Sequence, residues 1–173
     1  MNTPPAAPSD PKTLTDIHIE WEGPLTIEEA RMLHSPQDYG LYQYYGEHPA
    51  YGSNALLYVG KAETQTLGSR LSQNDWHIWS SSIAEIYIGR ICNPEPLSEE
   101  KWRENIDLAE RIIIFSHSPS FNTKNLNNIN CSGDGDVRVL NWGRRNKLLP
   151  EISISRWAFT AGHNKPSHLR RQG

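Results

Sequence analysis

Apolar and polar residues alternate along residues 16–21, with isoleucine or tryptophan at every second position, and they alternate again along residues 83–91. A period of two predicts half-buried β-strands, and Pro24 is expected to end the first because proline cannot donate to a strand ladder. Residues 39–45 and 55–60 are rich in Tyr, Leu and Val and flank a stretch of turn-forming residues. They predict a β-hairpin with a long loop.

Three segments favour helices. A Thr-x-x-Glu capping box at residues 26–29 predicts a short helix over residues 27–34, and residues 66–74 have helical character. Ser98 offers an N-cap for a third helix, in which apolar residues recur at spacings of three and four until a stop before Pro119. Strands and helices therefore alternate irregularly along the chain.

The composition is that of an ordinary globular domain. The chain has 173 residues, 36% of them hydrophobic, which matches roughly one domain with a single core. The longest apolar run, Ile112–Phe115, is far shorter than the roughly 20 residues of a bilayer-spanning helix, so we expect no membrane span. Residues 1–15 are expected to be a disordered tail rather than a secretory signal. The two cysteines show no disulfide or metal-ligand spacing, which favours reduced thiols in a cytoplasmic protein.

Charge is distributed unevenly. The formal net charge of −3 taken alone argues against a nucleic-acid-binding protein. Residues 136–173, however, carry eight Lys or Arg against two acidic residues, a net charge of +6, and leave −9 for residues 1–135. From charge alone this strip, which follows a polar loop at 126–136, indicates either a polyanion contact or a solvated tail. Its interleaved tryptophans favour nucleic acid. The candidate phosphate-contacting residues are Arg138, Arg144, Arg145 and Lys147.

Two short motifs lie on the predicted hairpin. Gly40-Leu41-Tyr42 is on its first strand, and Tyr58-Val59-Gly60, followed by Lys61, is on its second. Either motif alone is a weak signal because aromatic pairs on adjacent strands are common in cores. The string Tyr87-Ile88-Gly89 is a rival for the second motif, but it leaves too few residues before the third helix for the intervening elements. We interpret it as packing of the third strand.

Three further residues follow the motifs in a fixed order: Arg70 on the second helix, Glu110 inside the third, and Asn122 after it. The complete ordered set resembles the GIY-YIG nuclease family over about residues 39–125, half of the chain, with Leu and Val in place of the two motif isoleucines. The resemblance implies an α+β fold with a three-stranded antiparallel sheet flanked by helices. Residues 16–38 would then form an N-terminal strand-helix extension, and residues 126–173 a basic C-terminal extension.

The resemblance implies a metal-dependent endonuclease that hydrolyses DNA phosphodiester bonds. Glu110 would hold one Mg²⁺ or Mn²⁺ ion, since a hard oxygen ligand with retained waters is how Mg²⁺ is usually bound. Asp107 or Glu104 on the same helix is the next candidate ligand. Arg70 would contact the scissile phosphate through its planar guanidinium. No organic cofactor is implied.

Tyr42 is the family's candidate for activating the attacking water, with help from the cations Lys61 and Arg70, because a phenol with an ordinary pKa of about 10 is a poor base. Tyr58 is expected to bind substrate or Tyr42, and Asn122 to orient the site. The family's histidine or tyrosine about one helical turn after the arginine has no direct match. His77 is the nearest candidate and is equally consistent with a surface histidine.

The rival hypothesis is a catalytically silent nucleic-acid-binding or interaction module that keeps the hairpin for packing. The combination of Arg70, Glu110 and both tyrosines favours the nuclease. The motifs do not distinguish restriction-type, repair-type and single-strand cleavage from one another, or DNA from RNA as the substrate. They predict no oligomeric state.

Overall fold

The computed structural model of the protein describes residues 14–73, 83–127 and 136–153. In these ranges the chain forms an α+β fold with one mixed six-stranded sheet and three helices. The strands are β1 (Leu14–Leu25), β2 (Gly40–His48), β3 (Gly52–Ala62), β4 (Ile83–Ile91), β5 (Asp136–Gly143) and β6 (Glu151–Ser153). The helices are α1 (Ile27–Arg31), α2 (Leu67–Gln73) and α3 (Glu99–His117).

The strand order in the sheet is β3-β2-β4-β1-β5-β6. β2 pairs antiparallel with β3 and with β4, so the three strands predicted for the central part of the chain are neighbours. β1 continues the sheet antiparallel to β4, and β5 then runs parallel to β1. The expectation of a three-stranded sheet is therefore too small for the described residues, because both predicted extensions add strands to the same sheet.

The sheet has a helical layer on each face. α3 covers one face, where Ile17, Ile19 and Trp21 of β1 pack with Ile106 and Ile113 in a buried apolar cluster. The alternation predicted along β1 is thus confirmed.

On the opposite face α1 and α2 cover β2, β3 and β4. Tyr42, Tyr44 and Leu57 pack there with Leu67 and Leu71 of α2. Adjacent residues on β2 point to opposite faces, so Leu41 belongs to the α3 side while Tyr42 belongs to the α1–α2 side.

The predicted helix ends are largely confirmed. The Thr26 side chain accepts a hydrogen bond from the Glu29 backbone, and the Glu29 carboxylate accepts one from the Thr26 backbone, which is the reciprocal pattern of a capping box. Ser98 caps α3 by accepting from the Lys101 backbone. α3 ends at His117, before Pro119 as expected.

Two predicted boundaries are wrong. β1 does not end before Pro24 but continues to Leu25, and the Gly23–Pro24 peptide bond is cis. α1 ends at Arg31 rather than near His34, with Met32 as its C-cap. Among the helices of the described ranges, none has the length and apolar character needed to cross a bilayer.

Candidate active site

The residues of the two motifs lie on and beside β3, which is an edge strand of the sheet. Tyr42 on β2 is opposite Gly60 on β3, and Tyr44 is opposite Tyr58. On the α1–α2 face these strands present tyrosines towards α2. On the other side, Lys61 of β3 reaches carboxylates of α3. The candidate site therefore lies around the edge strand β3, and β2, α2 and α3 contribute to it as well.

Tyrosines 42, 44 and 58 form a compact aromatic cluster. The ring centroids of Tyr42 and Tyr58 are 6.1 Å apart in a stacked arrangement, and those of Tyr42 and Tyr44 are 5.4 Å apart. A Cβ atom on Gly60 would lie 2.5 Å from Tyr42 Oη and 2.7 Å from Tyr58 Cε1. The glycine of the second motif is thus required because both phenol rings lie against its backbone.

The two motif tyrosines differ in burial. Tyr42 is fully buried, whereas Tyr58 is only partly buried at the edge of the cluster. Burial raises the pKa of Tyr58, and the Glu110 carboxylate raises it further, while Arg70 and Tyr42 act in the opposite direction. The Tyr58 phenol is therefore protonated at neutral pH unless additional positive charge enters the site.

Arg70 lies on α2 beside this cluster. Burial lowers the pKa of its guanidinium, but the neighbouring Tyr42, Tyr58 and Glu110 outweigh burial and raise that pKa above its ordinary value. Four of the residues predicted to form the site therefore lie close together, although these residues belong to β2, β3, α2 and α3. A permanent positive charge is thus held beside the phenols and the Glu110 carboxylate.

Lys61 connects β3 to α3. Its Nζ lies 2.6 Å from Asp107 Oδ1, 3.2 Å from Glu63 Oε1 and 3.9 Å from Glu110 Oε2. Asp107 is also paired with Arg111 at 2.8 Å. The shortest contact of Lys61 is therefore with Asp107, and Glu110 is left with a longer ion pair.

Glu110 is the most perturbed carboxyl group of the site. Burial raises its pKa to about 7, and the negative charges of Asp107 and Glu63 add to burial, while Lys61 and Arg70 offset only part of the effect. Its side chain is 15% exposed. An ionised carboxylate here is costly, and an additional cation would lower that cost.

The donor chemistry fits one hard divalent cation at Glu110. Within residues 14–73, 83–127 and 136–153, no group of three or more His, Cys, Asp or Glu side chains is arranged to hold a metal ion. Mg²⁺ does not need such a group, since one carboxylate together with water and substrate phosphate is a common binding mode. Glu110 would supply that carboxylate.

Asn122 stabilises the edge strand itself. Its Oδ1 accepts a hydrogen bond from the Val59 backbone N–H at 3.0 Å, and its Nδ2 donates to the Val59 carbonyl at 2.9 Å. The backbone N–H of Phe121 also donates to the Leu57 carbonyl. The amide side chain thus replaces a neighbouring strand at the residue between Tyr58 and Gly60, which makes Asn122 a positioning residue.

His77 lies outside the described residues. Three residues of the cluster were not among the predicted site residues: Tyr44, Glu63 and Asp107. Asp107 was named only as an alternative metal ligand. The period of two along β2 indicates that Tyr44 shares a face with Tyr42, and Glu63 follows directly after the end of β3, two residues from Lys61. Asp107 lies one helical turn before Glu110, which could have identified it as a partner of the same cation.

The four candidate phosphate-contacting residues differ in how they are held. The Arg138 guanidinium makes a two-point contact with Asp16, at 2.8 and 2.7 Å, and lies 3.7 Å from Glu151. Arg145 donates to the Leu148 carbonyl. Arg144 and Lys147 have exposed side chains, and Arg144 donates to the Gly23 carbonyl. Arg144 and Lys147 are therefore the more accessible pair.

The chain was compared with protein-family models, with curated proteins and with solved structures, and none of the three comparisons gave a match.

Proposed function

We propose that the protein is a metal-dependent endonuclease of the GIY-YIG type that hydrolyses DNA phosphodiester bonds. The observation that carries the proposal is the meeting of Tyr42, Tyr58, Arg70 and Glu110, four residues that are up to 68 positions apart in the chain. Packing alone requires none of their polar groups. Phosphodiester hydrolysis requires an activated water and positive charge at the phosphate, and these groups can supply both.

Arg70 is the residue best suited to the phosphate. Its charge is permanent, and its planar donors match two phosphate oxygens. Lys61 is a weaker candidate for direct contact because Asp107 and Glu63 already hold its ammonium group at 2.6 and 3.2 Å. Lys61 instead supports the charge of Glu110 and fixes α3 against β3.

The burial difference favours Tyr58, rather than Tyr42, as the phenol that meets the attacking water. Tyr42 is fully buried, stacks with Tyr58 and interacts with the Arg70 guanidinium. This reverses the roles expected from the motif order. Because the pKa of Tyr58 is raised, its phenol would donate a hydrogen bond to water or phosphate until a cation makes its deprotonation easier.

A bound Mg²⁺ or Mn²⁺ ion would supply Lewis-acid stabilisation of the negative charge on the phosphate oxygens and on the leaving oxygen. Glu110 would hold it, while Asn122 keeps the backbone on which Tyr58 stands in place through the pair of hydrogen bonds to Val59.

The test is incubation of the full chain with supercoiled plasmid in the presence of Mg²⁺, followed by the same reaction in EDTA. We expect nicked or linear products with Mg²⁺ alone. Glu110→Gln is the inactive control, and Asp16→Asn, on the far part of the sheet, is the matched active control. Absence of metal-dependent cleavage of plasmid, single-stranded DNA, branched DNA and RNA would favour the silent binding module instead.

A further inference from the structure

A cavity of about 570 Å³ lies beside the candidate active site, between the first half of α3 and the end of β4. Glu63 lines the cavity, and its carboxylate is 3.2 Å from Lys61 Nζ. Lys61 is in turn 3.9 Å from Glu110. The cavity is therefore separated from the proposed metal ligand by only two side chains.

Aromatic side chains form part of its wall. Tyr39 and Trp102 meet edge to face, with ring centroids 6.4 Å apart and an angle of 74° between the rings. Trp102 also lines a second cavity of about 450 Å³, beside the segment that joins β4 to α3. A partly buried indole between two cavities presents flat aromatic surface, which suits a planar ligand.

The cations of the wall are already paired. Arg90 lies 2.7 Å from Asp38 and 2.8 Å from Glu22, and Arg103 lies 2.7 Å from Glu99. Because carboxylates neutralise both guanidinium groups, the wall has little net positive charge to attract a phosphate. Glu63 and Glu99, although paired with Lys61 and Arg103, keep acceptor capacity, since one carboxylate can accept more than one hydrogen bond.

We propose that this cavity binds an unpaired nucleobase that carries an exocyclic amino group, next to the phosphate that is cleaved. The inference rests on the proposed nuclease function. The volume of the cavity is within the range of about 300 to 1,000 Å³ typical of small-ligand sites. Trp102 or Tyr39 stacks on the base, and a wall carboxylate accepts from the amino group of cytosine or adenine. Thymine has no such amino group and is the disfavoured base.

The test measures quenching of tryptophan fluorescence by deoxycytidine and thymidine in EDTA, where no cleavage takes place. Wild type is compared with Trp102→Phe and with Trp142→Phe, the matched control, because Trp142 is a 48% exposed tryptophan on β5, outside the cavity. We expect saturable quenching by deoxycytidine in wild type and Trp142→Phe and its loss in Trp102→Phe. Thymidine should bind roughly tenfold more weakly, the discrimination expected of one good base contact.

Unchanged saturable quenching in Trp102→Phe, or equal affinity for the two nucleosides, would overturn the proposal. The result is independent of catalysis. Plasmid cleavage without nucleoside binding would refute the base-binding cavity but not the nuclease function. Nucleoside binding without cleavage of any substrate would refute the nuclease function but not the base-binding cavity.

Discussion

Asp16 and Glu110 are both carboxylates beside a cation, yet their pKa values move in opposite directions. Asp16, on the β1–β5 pair, receives two hydrogen bonds from Arg138 at 2.7 and 2.8 Å, and these lower its pKa despite some desolvation. Glu110 is more buried, its cation Lys61 is 3.9 Å away, and its pKa is raised to about 7.

The difference lies in how the cation is shared. Arg138 gives its hydrogen bonds to Asp16, whereas Lys61 gives its shortest contact to Asp107 and leaves Glu110 beside other negative charges. The Asp16–Arg138 ion pair therefore stabilises the pairing of β1 with β5. At Glu110 the ionised carboxylate is unfavourable, and a bound cation would make it less so. Perturbed carboxyl groups of this kind are concentrated at functional sites.

The largest expected effect is loss of metal-dependent cleavage in Glu110→Gln. The amide keeps the size of the side chain but removes the charge that would hold the ion, so we expect the single-turnover cleavage rate to fall by at least about 100-fold. Asp16→Asn should cleave at the wild-type rate. Plasmid nicking with Mg²⁺ measures both variants.

A thermal shift gives a readout that does not depend on activity. Mg²⁺ should raise the melting temperature of wild type and of Asp16→Asn at pH 7.5, but not that of Glu110→Gln. An equal Mg²⁺ shift in Glu110→Gln would transfer the ligand role to Asp107 or to Glu104.

The next effect separates the phenols. Tyr58→Phe should lower the single-turnover rate by about 100-fold, the scale expected when a group that assists proton transfer is lost, and Tyr42→Phe should cost less. Tyr44→Phe is the control, because Tyr44 belongs to the same cluster but to neither motif. A larger loss in Tyr42→Phe would restore the roles expected from the motif order.

The comparison also predicts opposite pH effects on stability. Because the pKa of folded Glu110 is raised from 4.5 to about 7, the folded protein keeps a proton that the unfolded chain releases. The contribution of Glu110 is thus fully present below about pH 4.5 and is lost as the pH rises through 7, a loss of about 3 kcal/mol in the free energy of unfolding. The lowered pKa of Asp16 gives a contribution that is present above 3.8 and is lost on acidification.

Urea unfolding in EDTA at pH 5 and pH 8.5 measures the difference. The free energy of unfolding of wild type should fall by most of the about 3 kcal/mol from pH 5 to pH 8.5 through Glu110, and Glu110→Gln should not show this fall. Asp16→Asn should be less stable than wild type at both pH values by about 1 kcal/mol or less, as for an exposed ion pair. The same pH dependence in Glu110→Gln and wild type would mean that the pKa of Glu110 is not raised in the folded protein.

Local sequence patterns predicted most elements of the fold but not the size of the sheet. The alternation in β1, the capping box of α1 and the Ser98 cap are local signals, and each was confirmed. The parallel pairing of β1 with β5 joins residues about 120 positions apart, and no local pattern encodes such a partner. β1 also continues to Leu25, past the Pro24 that was expected to end it.

The candidate site shows the same division. The resemblance of the ordered motifs to a known family pointed to Tyr42, Tyr58, Arg70 and Glu110, and the fold brings them together. Their burial was not predictable, because it depends on which face of the sheet each helix covers. The partner of Lys61 was also missed, since Asp107 reaches it only when α3 packs beside β3.

The smallest expected effect concerns the basic residues of the C-terminal part and extends the comparison to Arg138. Each cation that contacts a phosphate contributes about −0.9 to the slope of log affinity against log salt. Arg138 is held by Asp16 and Glu151, whereas Arg144 and Lys147 have exposed side chains. Arg138→Ala should therefore leave the salt slope of DNA binding unchanged, and the double variant Arg144→Ala/Lys147→Ala should reduce it by about 2. Fluorescence anisotropy with a labelled duplex in EDTA, at several salt concentrations, measures both slopes. A reduced slope in Arg138→Ala would mean that DNA displaces Asp16, so that the β1–β5 ion pair is also a binding surface.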